Sequence, residues 1–430
     1  MRLFTLSAAF AAAFLALSLS PAVADSSSPA LPAGISAAAL GLPEMPPVLN
    51  AKAAVVMDAT TGTIVYAKNP DLAIPPASLT KLVTLDVVYN EIAAGRISKD
   101  TIVTINKHDC SPYIPYGSSI MYLRPDMHVS IMDLMRGAAV VSGCDAAFAL
   151  ARAISGSYSA FADLMNQAVD KLGLTKLHFV EPSGLSGRNT ITAREYAYFC
   201  RDYMELHPEA IRELHSLRYI VFPKPENATP DYTPKGRIVQ YNVNSLIFRY
   251  PGCDGLKTGF INESGYNLAA TAERNGTRFI IVTLGGSGAG AVYGGSVQRS
   301  HDGAALLDWA FASYTTLEPK TAPISPIRTW YGERERLDLE PASPLAVTVP
   351  KQDTGALDVR VDLPRSLVAP VEKGARVGEV VYSVNGTVLH RVDLVAAETV
   401  ERGNIFIVIR DAVERFFGRL FGSPSGAKTA

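Results

Sequence analysis

The sequence predicts an α/β domain, then a small all-β domain, then a terminal amphipathic helix. Three observations carry this. Short apolar strands near the start and after residue 253 bracket a helical block, which places both ends of that region in one sheet. Beyond a proline-bearing linker, short strands alternate with glycine corners. The last segment is apolar on one side at helical period. A chain of 430 residues, 48% of them hydrophobic, is long enough for a large core and one further domain. Its 40 Lys and Arg balance 41 Asp and Glu, so neither net charge nor a basic run points to nucleic acid.

Arg2, the apolar run Leu3 to Leu19 and the small-residue site Pro21-Ala22-Val23-Ala24 read as a signal peptide (1–24), with Asp25 as the mature start. A retained anchor helix is the alternative, and no later apolar run is long enough to span a bilayer. Export places the protein in the periplasm or on the outer face of the cytoplasmic membrane. Residues 25–47, rich in Ser, Pro and Ala, form a flexible leader.

Ala53–Asp58 and Gly62–Ala67 make a hairpin around Ala59-Thr60-Thr61-Gly62. Leu82 to Ala94 reads as a buried helix. After a stretch of short strands and turns, helices are expected from Val129 to Ala139 or Val140, Ala146 to Ile154, Ser159 to Leu172 and Thr192 to His207. Thr192 caps the last of these, with Glu195 as its capping-box partner. Asn275-Gly276 between two apolar runs is a strong hairpin signal, and His301 to Tyr314 is a closing helix. Thr315 to Pro326 carries the prolines of a linker. Strands are expected at Leu345–Val349, Leu357–Leu363, Arg376–Val384 and Thr387–Leu394, with no concentration of reactive side chains. The domain limits expected are 48–314, a linker at 315–330, 331–400 and 401–422.

From Asn404 to Leu420, Ile405, Phe406, Ile409, Val413, Phe416, Phe417 and Leu420 share one side. Arg410, Asp411, Glu414, Arg415 and Arg419 share the other. Such a helix either packs on its own protein or lies in a membrane interface; its terminal place and its Phe content favour the membrane. Cys110, Cys144, Cys200 and Cys253 are too few for a disulfide scaffold and fall in no metal spacing. Disulfide pairing and buried free thiols both stay open, and no metal or other cofactor is expected.

The chemistry centres on Pro76-Ala77-Ser78-Leu79-Thr80-Lys81. A serine and a lysine three apart on a helix share a face, so the amine can reach the hydroxyl it must deprotonate. Alone this is a weak signal, since a capping serine and a solvent lysine look the same. Ser142-Gly143-Cys144 and Lys257-Thr258-Gly259 follow in order. Taken singly, Ser142 reads as a turn serine and Lys257 as a surface lysine. Together the three motifs resemble the Ser-x-x-Lys, Ser-Asp-Asn and Lys-Thr-Gly series of penicillin-binding proteins and class A β-lactamases. With Phe179 to Leu185 and Gly265-Tyr266-Asn267-Leu268, the chain resembles the D-alanyl-D-alanine carboxypeptidases, the low-molecular-mass penicillin-binding proteins, from Ala51 through Phe311 and on into the β domain and terminal helix.

The resemblance implies a penicillin-binding-protein/β-lactamase-type domain, an antiparallel sheet with flanking helices and a helical subdomain. It implies Ser78 as the acylated nucleophile, Lys81 as its base if a second cation and burial lower its pKa, and Ser142 as a proton relay. Lys257 would anchor the substrate carboxylate and add positive field, and Thr258 would give it a hydroxyl. Gly259 would leave the strand edge open to the peptide, and Phe260 would supply an oxyanion N–H beside that of Ser78. The substrate implied is a peptidoglycan stem peptide, with β-lactams as mimics. Arg194 and Glu181 read as structural, and Tyr241 to Asn244 as scaffold. One position departs from the pattern: Cys144 stands where asparagine is expected, and a thiol donates and accepts only weakly. A loss of about 10- to 1000-fold follows if those bonds belong to the transition state. A D,D-endopeptidase, or a cell-wall-binding protein without turnover, is the alternative; Cys144 has no histidine nearby in sequence to make it a nucleophile.

Overall fold

The computed structural model describes residues 49–110, 113–287, 294–319 and 324–421. The expected signal peptide and leader lie outside them. β1 (Ala53–Asp58) and β2 (Ile64–Lys68) form the expected hairpin. A short 3-10 turn, Ala77–Leu79, runs into α1 (Thr80–Ala93), which is buried at every position from Thr80 to Tyr89. A helix without a polar stripe belongs inside a protein, and α1 accordingly forms the spine of the domain.

The helical block follows. β3 (Ile102–Thr104) and β4 (His128–Ser130) form a ribbon that leads into α2 (Ile131–Val140), α3 (Cys144–Ser155), α4 (Tyr158–Lys171) and α5 (Ala193–Leu206). Local chemistry sets the limits. Ser130 and Ser157 cap α2 and α4 through the Asp133 and Ala160 N–H groups, and Gly156 ends α3 in the left-handed region. The box expected at α5 is half made. Thr192 accepts from the Glu195 N–H, but the Glu195 carboxylate accepts from the Lys176 N–H at 2.7 Å.

β5 (Tyr219–Val221) and β6 (Val239–Tyr241) pair beside it, and α6 (Leu246–Arg249) precedes the meander β7 (Cys253–Ile261), β8 (Gly265–Arg274), β9 (Thr277–Gly286). The five strands form one antiparallel sheet in the order β2-β1-β9-β8-β7, with Val55 opposite Val282. Both ends of the domain therefore share a sheet, as the strand pattern predicts, and β7 is left at an edge. α7 (Gly294–Ser313) begins earlier than expected. Its Leu306, Leu307, Ala310 and Phe311 pack on Val56, Leu268, Ala270 and Phe279.

The stretch expected as linker opens with a strand, β10 (Tyr314–Leu317). β11 (Ile327–Trp330), β12 (Arg336–Leu337), β13 (Leu339–Pro341), β14 (Val347–Pro350), β15 (Leu357–Asp362), β16 (Ser366–Val368), β17 (Arg376–Val384) and β18 (Thr387–Ala396) complete an all-β module. Its sheets are β10-β14, β12-β11-β16 and β13-β18-β17-β15, around Val347, Val349, Val380, Tyr382 and Leu394. α8 (Ile405–Phe421) docks by its polar side: buried Asp411 accepts from the Tyr331 N–H at 2.7 Å, and Arg328 pairs with Glu414 at 2.8 Å. Ile405, Phe406, Ile409, Val413 and Phe416 are exposed, so the apolar side is not what packs on the protein. Among the described residues no helix is long and apolar enough to cross a membrane.

Candidate active site

Ser78 sits in the turn that feeds α1, directly after Ala77, whose backbone is left-handed (φ 52°). An alanine held there costs about 1–2 kcal/mol, which the surrounding packing must offset. One turn on, Lys81 is fully buried, and its Nζ lies 2.9 Å from Ser78 Oγ, 2.6 Å from the Ser183 carbonyl and 3.4 Å from Cys144 Sγ. Three acceptors match the three donors of an ammonium. In a neutral amine two N–H bonds keep Ser183 and Cys144, and the lone pair is left for the Ser78 hydroxyl.

Ser142 lies in the turn between α2 and α3, left-handed (φ 61°) and buried against the cleft. Cys144 is the first residue of α3 and not part of the turn, with its N–H on the Ser119 carbonyl at 2.8 Å. Next to it, the buried Asp145 carboxylate accepts from the N–H groups of Met121 and Leu123, which ties the neighbouring loop to α3. Burial raises the Asp145 pKa, and those bonds and Lys81 oppose the rise. All four cysteines are free and buried, so the disulfide alternative falls. Burial pushes Cys110 up to about 12 and Cys253 up to about 11.

A cleft of about 460 Å3 runs along the free edge of β7, lined by Ser78, Ser142, Cys144, Thr258, Gly259 and Phe260 among others. The structure thus gathers the expected site residues at one place, with Ser78, Ser142, Cys144, Thr258, Gly259 and Phe260 on the cleft wall and two lysines behind it: Lys81, held on Ser78, and Lys257, 1% exposed, with Nζ on the Thr258 carbonyl at 3.1 Å. Burial above all, then the charges of Lys81 and Arg299, hold Lys257 well below its ordinary pKa. Lys257 is therefore not placed to grip a carboxylate directly. The cation that lines the cleft is Arg299 of α7, 3.4 Å from the Gly259 carbonyl, with its guanidinium 5.8 Å from the centre of the Tyr266 ring and a buried Nε that has no partner among the described residues. Burial pulls its pKa down to about 10, which leaves it charged at neutral pH. Nothing local in the sequence marks Arg299.

Gly259 has a different reason from the one expected. A Cβ there would stand 2.7 Å from the Pro76 carbonyl and 3.0 Å from the Ser78 N, so glycine lets β7 close on the Ser78 turn instead of clearing the outer edge. Gly184 does the same from the other side: its Cβ would meet the Ala77 carbonyl at 1.9 Å, and its φ is +84°. Glu181 is structural, as expected. It accepts from the N–H groups of Ser183 and Gly184 and from Asn189, and so fixes the carbonyl that holds Lys81. Arg194 pairs with Asp71 at 3.1 Å, and Asn244 bonds the Gly255 carbonyl, both scaffold contacts.

This fold and this gathering of motifs define the penicillin-binding class of serine peptidases. The family described as D-alanyl-D-alanine carboxypeptidase matches residues 42–288, and the penicillin-binding protein 5 C-terminal domain matches residues 313–402. The chain belongs to the D-alanyl-D-alanine carboxypeptidase family. It is 32% identical to the D-alanyl-D-alanine carboxypeptidase DacC of Escherichia coli, over 88% of this chain and 91% of that one. Among solved structures it is similar to penicillin binding protein 5 from Haemophilus influenzae, with a TM-score of 0.71 and 32% identity over 84% of this chain and 100% of that one. A further likeness, at TM-score 0.55 and 27% identity over 62% of this chain and 100% of the other, is to a cysteine-to-asparagine mutant of a Streptomyces K15 DD-transpeptidase.

Proposed function

We propose that this protein removes the terminal D-alanine from peptidoglycan stem pentapeptides through an acyl-enzyme on Ser78, and that β-lactams acylate the same serine. The observation that carries this is the 2.9 Å approach of a fully buried Lys81 amine to Ser78 Oγ. The Lys81 amine, as general base, takes the hydroxyl proton as Ser78 attacks the carbonyl of the penultimate D-alanine. The N–H groups of Ser78 and of β7 at Phe260 receive the oxyanion. Arg299 and the Thr258 hydroxyl hold the terminal carboxylate, and Lys257 adds positive field from behind. Ser142 passes the proton to the departing amine. Water then cleaves the ester and returns the Ser78 hydroxyl. We take residues 48–314 as the domain that does this.

Intact-mass analysis after incubation with a penicillin, paired with D-alanine release from a stem pentapeptide, tests the assignment. A one-drug adduct and D-alanine release are expected, both lost in Ser78→Ala. An adduct that survives in the variant would remove Ser78 as nucleophile.

A second reading, transfer of the acyl group to an amine instead of water, draws support from Cys144. Two mutants of the Streptomyces K15 DD-transpeptidase replace a serine and, two positions on, a cysteine, the spacing of Ser142 and Cys144. Added glycine would then divert the acyl group into a new amide; unchanged product ratios would remove this reading.

For α8 we propose an interfacial seat on the outer face of the cytoplasmic membrane after export. Its exposed Ile405, Phe406, Ile409, Val413 and Phe416, opposite a docked polar side, support that seat. The exported chain should sediment with anionic vesicles, and Phe406→Asp with Phe416→Asp should release it.

A further inference from the structure

The cleft carries opposite charge at its two ends. Arg299 reaches the Gly259 carbonyl at one end, with Lys257 buried close by. At the other end β7 turns into β8 through Asn262-Glu263-Ser264, with Ile261 opposite Gly265. Glu263 is exposed and lines the cleft. No cation among the described residues forms an ion pair with its carboxylate, and Lys52, which lines the adjoining hollow with it, does not reach it. The Glu263 Cγ stands 3.4 Å from where a Cβ on Gly187 would lie. The turn therefore leans on the loop after Gly184 and closes that end.

The direction of the bound peptide follows from the proposed function, on which this inference rests. A carboxylate at Thr258 and Arg299, with the scissile carbonyl between Ser78 and Phe260, makes the peptide run antiparallel to β7. Its amino-terminal continuation then passes Ile261 toward Asn262 and Glu263. β7 is the edge strand of its sheet, so its outer side is open to an added strand, and each residue of that strand advances about 3.3 Å. The amino acid before D-Ala-D-Ala arrives at the acidic end. A long side chain ending in an ammonium group spans the rest.

We infer that Glu263 determines specificity by pairing with a side-chain ammonium on the residue that precedes D-Ala-D-Ala, so that stem peptides whose diamino acid is free are favoured over those in which it is acylated. Burying neither partner fully, such a pair is of the partly exposed kind and discriminates modestly. Its contribution lies in selecting among peptides that all carry the same reacting end.

The test compares kcat/KM for D-alanine release from Nα-acetyl-Lys-D-Ala-D-Ala and from Nα,Nε-diacetyl-Lys-D-Ala-D-Ala, which differ only in that charge. The free amine is expected to win by about 2- to 10-fold in the native protein. Glu263→Gln brings the ratio close to one, Glu263→Lys inverts it, and added salt shrinks the native preference. Equal rates in the native protein, or a preference that survives in Glu263→Gln, overturn the inference while D-alanine release still upholds the carboxypeptidase reading. Release from neither peptide overturns that reading and this inference with it.

Discussion

Cys144 accepts a bond from Lys81 at 3.4 Å, in a position where the resembling motif has an amide. Replacing it by alanine leaves one donor of a fully buried amine without a partner. Such a loss costs about 1–3 kcal/mol, or about 5- to 150-fold in acylation rate. Cys144→Asn supplies a stronger acceptor and should acylate at least as fast as the native protein. The rate of penicillin adduct formation checks both, and a Cys144→Ala variant that acylates at the native rate would show that the sulfur does no more than fill space. Lys257 makes a second prediction at this scale, through its lowered pKa. As pH rises through that lowered value its charge is lost, so D-alanine release should fall at a pH below the ordinary lysine value near 10.4. Over the same interval the unfolded chain binds a proton that the folded one does not. The contribution of Lys257 to stability therefore rises with pH while activity falls. Lys257→Arg, charged throughout, should move the falling limb upward; a limb that stays where it was would assign it to another group. The motif residues were legible from spacing along one helix and one strand. Arg299 and the Ser183 carbonyl were not, because each meets the site from a segment whose approach only the tertiary fold decides.

At the scale of elements, the start of β7 is pinned from a helical turn. His215, last in the turn Ile211–His215, is buried between the Tyr203 hydroxyl at 2.9 Å and the Leu256 carbonyl at 3.2 Å. A carbonyl only accepts, so Nδ1 donates to Leu256 and Nε2 accepts from Tyr203. The ring is neutral. Burial first, and then the nearby Lys257 charge, push its pKa down to about 3 against the opposing pull of the Leu256 bond. Between about pH 6.5 and 3 the unfolded chain holds a proton that the folded one excludes, so stability falls as pH drops through that window. His215→Gln should flatten that part of the melting-temperature profile, whereas an unchanged slope would place the acid sensitivity in another group. The pattern of apolar residues reveals elements that form from neighbours, such as α1 or the β8–β9 hairpin at Asn275-Gly276. It does not reveal β10, which is a strand because Thr315 and Thr316 find Val349 and Thr348 as partners. Taken without that pairing, its prolines downstream and threonines read as linker.

Across the whole molecule, the catalytic sheet and the β module share a buried carboxylate. Asp58, at the end of β1, is fully buried; its Oδ2 accepts from the hydroxyls of Thr316 on β10 and Thr348 on β14 at 2.7 and 2.8 Å. Its Oδ1 takes the Thr60 N–H at 2.9 Å. Burial raises the Asp58 pKa, and the four bonds, two hydroxyl and two backbone, oppose that rise. A carboxylate so placed couples the turn of the first hairpin to two strands that follow it by more than half the chain. Removing it leaves the buried Thr348 hydroxyl and the partly buried Thr316 hydroxyl and Thr60 and Thr61 N–H groups without their acceptor, at a cost of about 3 kcal/mol. Asp58→Ala should therefore lower the melting temperature and separate one calorimetric transition into two, the catalytic domain and the β module unfolding apart. D-alanine release should persist below the first transition, since Asp58 does not line the cleft. Thr348→Val, which deletes a single hydroxyl, should give a smaller shift in the same direction. If Asp58→Ala melts in one transition at the native temperature, the module is held by its apolar contacts alone, and the carboxylate is not what makes the two parts unfold as one.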